Sequence, residues 1–160
     1  MMLKYVNFLQ IRLVSLFFMV PFLIDRVTKY CIVSYLWESQ EITSFFNIYF
    51  TYNTGIAWSI GSNLGGVYVT LGMCFIAMVL TYFAWYIRLV AGHVGMFASC
   101  LLVLSGGVSN FIDRFLFGGV VDFIQLHLGD WYFPIFNVAD ISITIGALCL
   151  SYFFLRDETA

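Results

Sequence analysis

Long apolar runs separated by short polar stretches dominate this chain. A helix that crosses the hydrocarbon core of a bilayer needs about 20 mostly apolar residues. Segments of that kind run over about 11–32, 67–86, 94–112 and 138–155. Residues 37–63 read differently. The stretch Ser44-Phe-Phe-Asn-Ile-Tyr-Phe-Thr-Tyr-Asn53 is rich in aromatic and β-branched residues and ends at Asn53-Thr-Gly55, which is strand composition followed by a turn. The predicted architecture is a membrane all-α bundle of four transmembrane helices with a small β-sheet subdomain at the outer membrane surface. It forms a single integral membrane domain over residues 1–160. The first apolar run follows Lys4 and Arg12 as a signal peptide would, but no small-x-small cleavage site comes after it, so an uncleaved span is expected.

Charge gives the bundle a direction. Lys4 and Arg12 stand at the start of the first span, Arg88 between the second and third, and Arg156 after the fourth. The connections 37–66 and 115–134 contain no Lys or Arg. By the positive-inside rule both termini are cytoplasmic and those two connections face outward. Composition agrees: 62% of residues are hydrophobic and 10% charged, against about 45–50% and about 25% in soluble domains. A net charge of −2 implies no nucleic-acid partner. Cys31, Cys74, Cys100 and Cys149 are far apart with no CxxC pair and read as small packing residues.

Against this background the polar residues inside or beside the spans stand out. Asp25, Arg26 and Lys29 lie near the outer end of the first span, with Asp25 and Lys29 spaced for an i,i+4 ion pair. The third span ends in Gly106-Gly-Val-Ser-Asn110-Phe-Ile-Asp113-Arg114. Its small residues suit close helix approach, and Asp113 beside Arg114 suits a structural network closing the helix. Asp122 sits among apolar residues with no adjacent cation. The fourth span opens with Phe136-Asn137-Val-Ala-Asp140. Here Asn137 and Asp140 fit either a well-capped helix start or a functional acid. Topology places Asp122 and Asp140 at the same membrane face. Two close carboxylates share one proton. One then serves as base toward a water while its protonated partner polarises a carbonyl, which is aspartic-protease chemistry without metal or cofactor.

These residues resemble the motifs of the lipoprotein signal peptidases, the type II signal peptidases. Asp25-Arg-Val-Thr-Lys29 is similar to their D-x-x-x-K, and Asn53-Thr-Gly55-Ile-Ala57 to N-x-G-x-A. Gly106 to Arg114 is similar to G-x-x-x-N-x-x-D-R, Val120-Val-Asp122-Phe to V-V-D-F, and Phe136-Asn137-Val-Ala-Asp140 to F-N-x-A-D. The resemblance implies Asp122 and Asp140 as the catalytic pair. It implies Asn53, Gly55, Asn110, Asp113, Arg114, Asn137, Asp25 and Lys29 as binding or supporting residues, with Asn53 and Arg114 contacting the substrate backbone. Trp58 and Ser109 depart from the usual Phe and Gly, at positions not expected to matter to the chemistry. The implied activity is intramembrane aspartic endopeptidase cleavage of diacylglyceryl-modified prolipoproteins just before the lipidated Cys. The implied setting is a bacterial inner membrane, where the chain contacts membrane lipid; nothing in the sequence demands more than a monomer.

Two other readings compete. A proton-coupled carrier would place its acids near mid-membrane and show repeats, whereas these acids gather at one face. A serine–lysine peptidase would pair Lys29 with a serine such as Ser34, around which no base constellation is visible. His93 and His127 fall on opposite faces, which excludes a shared metal site.

Overall fold

The structure is a computed structural model that describes residues 12–36, 38–55 and 93–157, together with scattered helical positions between 72 and 86. Most of the span expected over 67–86, and Ala57 and Trp58 with it, lie outside the described residues.

The first helix starts at residues 12–14, widens into a π turn over Ser15–Met19, and continues as α1, Val20–Tyr35. Pro21 accounts for the widening. It has no N–H for the preceding turn and its ring presses on the carbonyl four residues back. The remaining elements are strands β1 (Gln40–Thr43) and β2 (Phe46–Asn53), helix α2 (Val94–Phe117), strands β3 (Val120–Leu128) and β4 (Trp131–Tyr132), and helix α3 (Val138–Asp157). Among the described residues two helices are long and apolar enough to cross a membrane, Val94–Phe117 and Val138–Arg156.

Helix α2 is the central element, touching the π turn, α1, α3 and β3. Its buried residues change character along its length. Met96, Ala98, Cys100 and Leu101 pack against Leu13, Phe17, Phe18, Phe83, Leu150 and Phe153. From Ser105 onward the buried side chains are Ser105, Ser109, Asn110, Asp113 and Arg114. The apolar half glues the bundle, and the polar half builds a site. Helix α2 also runs past the expected end at Ile112 to Phe117, so Asp113 and Arg114 sit within it and are fixed by its hydrogen bonds.

The sheet is antiparallel throughout, in the order β1-β2-β3-β4. The expected strand is β2. Its partner β3, reached only after α2, carries Asp122 opposite Thr51 and Val120 opposite Asn53. A left-handed Gly118 (φ 73°) ends α2, its N–H bonding Arg114 O at 3.0 Å. This turn feeds the chain back beside the end of the helix it has just left.

Helices α2 and α3 approach closely at two glycines. A Cβ on Gly106 would strike Ala139 O and lie 2.8 Å from Ile143 Cγ1, and one on Gly146 would lie 2.8 Å from Ser99 O. Gly107, one position along, faces open space. Gly106→Val should therefore lower stability by about 1–3 kcal/mol through overpacking, while Gly107→Ala should be neutral or slightly stabilising. Thermal melts in detergent check this; equal effects at the two positions would refute the close approach.

Candidate active site

Five elements converge at the polar end of α2. α1 contributes Asp25, Arg26 and Lys29, β2 and its turn contribute Asn53 and Gly55, α2 contributes Asn110, Asp113 and Arg114, β3 contributes Asp122, and α3 opens on Asn137 and Asp140. Each site residue that the resemblance implies is thus brought into one hydrogen-bonded region.

Asn137 joins the two aspartates Asp122 and Asp140. Its side-chain Nδ2 donates to Asp122 Oδ1 at 2.7 Å, and its backbone N–H donates to Asp140 Oδ2 at 3.2 Å. In return, Asp140 N–H donates to Asn137 Oδ1 at 2.9 Å. That reciprocal pair is a capping box in which Asp140 supplies the acid. The cap and the bridge to Asp122 therefore coexist, because the one Asn137 amide makes both. The other carboxylate oxygens take amides too: Asn53 Nδ2 donates to Asp122 Oδ2 at 2.9 Å, and Asn110 Nδ2 donates to Asp140 Oδ1 at 2.8 Å. Asp122 is buried, 2% exposed, whereas Asp140 is partly open.

Beneath this pair lies a second layer. Lys29 Nζ, itself buried, is 2.8 Å from Asp25 Oδ2 and 2.7 Å from Asp113 Oδ2, and donates to Asn110 Oδ1 at 2.7 Å. The expected Asp25–Lys29 pair is present and extends to α2. Each of the two lower carboxylates also holds the backbone N–H just before an upper aspartate. Asp25 Oδ1 accepts from Ala139 N at 2.7 Å, and Asp113 Oδ2 accepts from Val121 N at 3.3 Å. The Lys29 ammonium thus ties together the supports of Asp140 and of Asp122. With three partners of this kind and no serine among them, Lys29 is built as a structural ion rather than as the base of a serine–lysine pair.

Asp113 sits in a structural network, as expected, and its partners come from another helix. It pairs with Arg26 and Lys29, while its neighbour Arg114 donates to Gly55 O. Gly55 N–H in turn donates to Asn53 Oδ1 at 3.0 Å, so Arg114 braces the turn that presents Asn53. Arg114 also lies within electrostatic reach of Asp122, Asp140 and Asp113. Ser109, expected to be incidental, donates its hydroxyl to Asp25 Oδ2 at 2.6 Å and is fully buried. Strand β3 adds to the expected strand a partner whose signal in the sequence is the half-buried alternation of Phe123-Ile-Gln-Leu-His-Leu128.

The family model described as Signal peptidase (SPase) II matches residues 17–156. The chain belongs to the signal peptidase II family. It is 36% identical over 151 residues to the lipoprotein signal peptidase of Burkholderia multivorans, covering 86% of this chain and 84% of that one. It is 39% identical over 135 residues to the lipoprotein signal peptidase of Pseudoalteromonas atlantica, covering 82% of each. Two solved structures, each described as a bacterial membrane enzyme structure by the in meso method, superpose with TM-scores of 0.76. One, at 2.3 Å resolution, is 31% identical and covers 97% of this chain and 92% of that one. The other, at 1.9 Å, is 33% identical and covers 96% of this chain and 97% of that one. Membership in this signal peptidase family makes the chain a bacterial peptidase, a hydrolase of the inner membrane.

Burial raises the Asp122 carboxyl from its ordinary 3.8 to about 6, and the charge of Asp140 pushes the same way. The amides of Asn53 and Asn137 and the Lys29 charge oppose the rise. The folded protein therefore binds this proton more tightly than the unfolded chain does. The contribution to stability is full below pH 3.8 and is lost as pH climbs to about 6, a loss of up to about 3 kcal/mol. Asp122→Asn cannot ionise and escapes that loss. Melts of both proteins should show the variant gaining on wild type between pH 4 and pH 7; a stability difference that does not change with pH would contradict the assignment.

Proposed function

We propose that this chain is an intramembrane aspartic endopeptidase that removes signal peptides from diacylglyceryl-modified prolipoproteins by cutting just before the lipidated Cys. The observation that carries the reading is the amide-bridged pair Asp122 and Asp140, one buried and one partly open, at the polar end of α2. Four spanning helices with both termini cytoplasmic place that pair at a shallow depth under the outer surface, as the distribution of Lys and Arg supports. A lipid-bearing Cys can then arrive sideways from the bilayer while its peptide meets the two acids.

The pair holds one proton between its members. The ionised carboxylate takes a proton from a water, whose oxygen attacks the scissile carbonyl carbon. The protonated partner gives its proton to the carbonyl oxygen, and the tetrahedral intermediate forms without a free charge. On collapse the C–N bond breaks, and the leaving nitrogen takes the proton gathered from water. Asn53 and Arg114 stand beside the pair, on the side that the turn after β2 presents, where they can bind the substrate backbone. The raised Asp122 carboxyl supports this scheme, because a group near pH 6 changes proton state easily at working pH.

The test is cleavage of a diacylglyceryl-modified prolipoprotein by detergent-purified protein, followed by mass shift. Asp122→Asn and Asp140→Asn should each cut the rate by about 10²–10⁴-fold, with wild-type activity unchanged by a chelator. Near-wild-type cleavage by either variant would overturn the pair.

A further inference from the structure

The buried cluster beneath the aspartates contains two carboxylates, Asp25 and Asp113, each 0% exposed. Lys29 supplies one positive charge between them. The second comes from Arg26, whose guanidinium pairs with Asp113 Oδ1 and donates to Ser109 O at 3.4 Å. Two negatives and two positives leave the cluster neutral; without Arg26 it carries one uncompensated negative charge. The D-x-x-x-K pattern that Asp25 and Lys29 fit leaves the Arg26 position open, so nothing in the resemblance assigns this residue a role.

Geometry gives Arg26 a defined effect. By holding Asp113 Oδ1, it leaves Oδ2 to face Lys29 and the N–H of Val121, the residue before Asp122. Arg26 does not touch the aspartate pair; it acts through Asp113. It is also the outermost member of the cluster, with its side chain 24% exposed against 0% for Asp113. A guanidinium at that boundary neutralises a buried carboxylate without being fully buried itself, which lessens the cost of burying the pair.

We infer that Arg26 is a positioning residue of this peptidase, neutralising Asp113 so that the Asp113 carboxylate holds strand β3 and Asp122 in working register. The inference rests on the reading of Asp122 and Asp140 as the catalytic pair. The charged groups facing that pair are Asp25, Arg26 and Lys29 from α1 and Asp113 and Arg114 from α2, while β2 contributes the neutral Asn53. Removing the Arg26 charge makes this surrounding more negative, which makes the pair harder to ionise.

The experiment compares wild type, Arg26→Gln, Arg26→Lys, Asp113→Asn and Arg26→Gln/Asp113→Asn, with Asp122→Asn alongside. kcat and KM are read across pH on lipidated prolipoprotein, and each protein is melted. Arg26→Gln should lower kcat about tenfold or more with KM little changed, and should move the acid limb of the pH profile upward. Arg26→Lys should restore the rate to within a few-fold and return the limb to its place. The double variant should melt no lower than Asp113→Asn alone, because the charge that Arg26 serves is then gone. If Arg26→Gln does not yield a folded monomer, recovery of one in the double variant supports the proposal and failure to recover it overturns it. A rate within twofold of wild type for Arg26→Gln, an unshifted profile, or Arg26→Lys as impaired as Arg26→Gln would also overturn it. An active Asp122→Asn would instead break the underlying reading; the melts need no activity and decide the Arg26–Asp113 coupling on their own.

Discussion

The position of one buried ammonium governs the rest of this structure. Lys29 lies between Asp25 and Asp113 and also donates to Asn110, so α1 and α2 are joined by charge where their apolar faces run out. A lysine this deep costs several kcal/mol to desolvate, and its attraction to the carboxylates offsets that cost only when every remaining lone pair and proton is used. Ser109, Ala139 N–H and Val121 N–H use them. The cluster is a satisfied network rather than a stray pair, as a polar group next to lipid must be.

From that centre the influence passes to the aspartates by backbone. Asp25 holds the residue before Asp140, and Asp113 holds the residue before Asp122. Asn137 and Asn110 then fix the carboxylates themselves. Two acids that repel each other are thus held together by neutral amides and by supports anchored on a shared cation. Burial first, and the charge of Asp140 second, raise the Asp122 carboxyl, and ionising it at neutral pH costs stability. Sites preorganised for chemistry commonly carry such a cost.

The membrane character of the chain, the strand over Phe46–Asn53 and the acids, amides and cations that meet at the polar end of α2 were legible in the sequence. Apolar length sets the first, aromatic and β-branched composition the second, and the expense of a charge beside lipid the third. What stayed hidden depended on long-range pairing. Strand β3 forms because Gly118 turns the chain back onto β2, a partner many residues earlier. Asp113 takes its cations from α1 rather than from Arg114 beside it, because neighbouring residues on a helix point to different faces. Ser109 looked incidental because a hydroxyl declares its use only when an acceptor on another helix comes within reach.

The central claim is that the Lys29 ammonium organises the proposed catalytic pair, Asp122 and Asp140, without taking part in the chemistry. Lys29→Met tests it most directly, read by thermal melting together with cleavage of lipidated prolipoprotein. The account predicts a loss of about 3–5 kcal/mol, as expected when a buried ion pair loses one partner, and a collapse of cleavage although Asp122 and Asp140 are intact. A Lys29→Met protein that melts like wild type and cleaves at a comparable rate would contradict it.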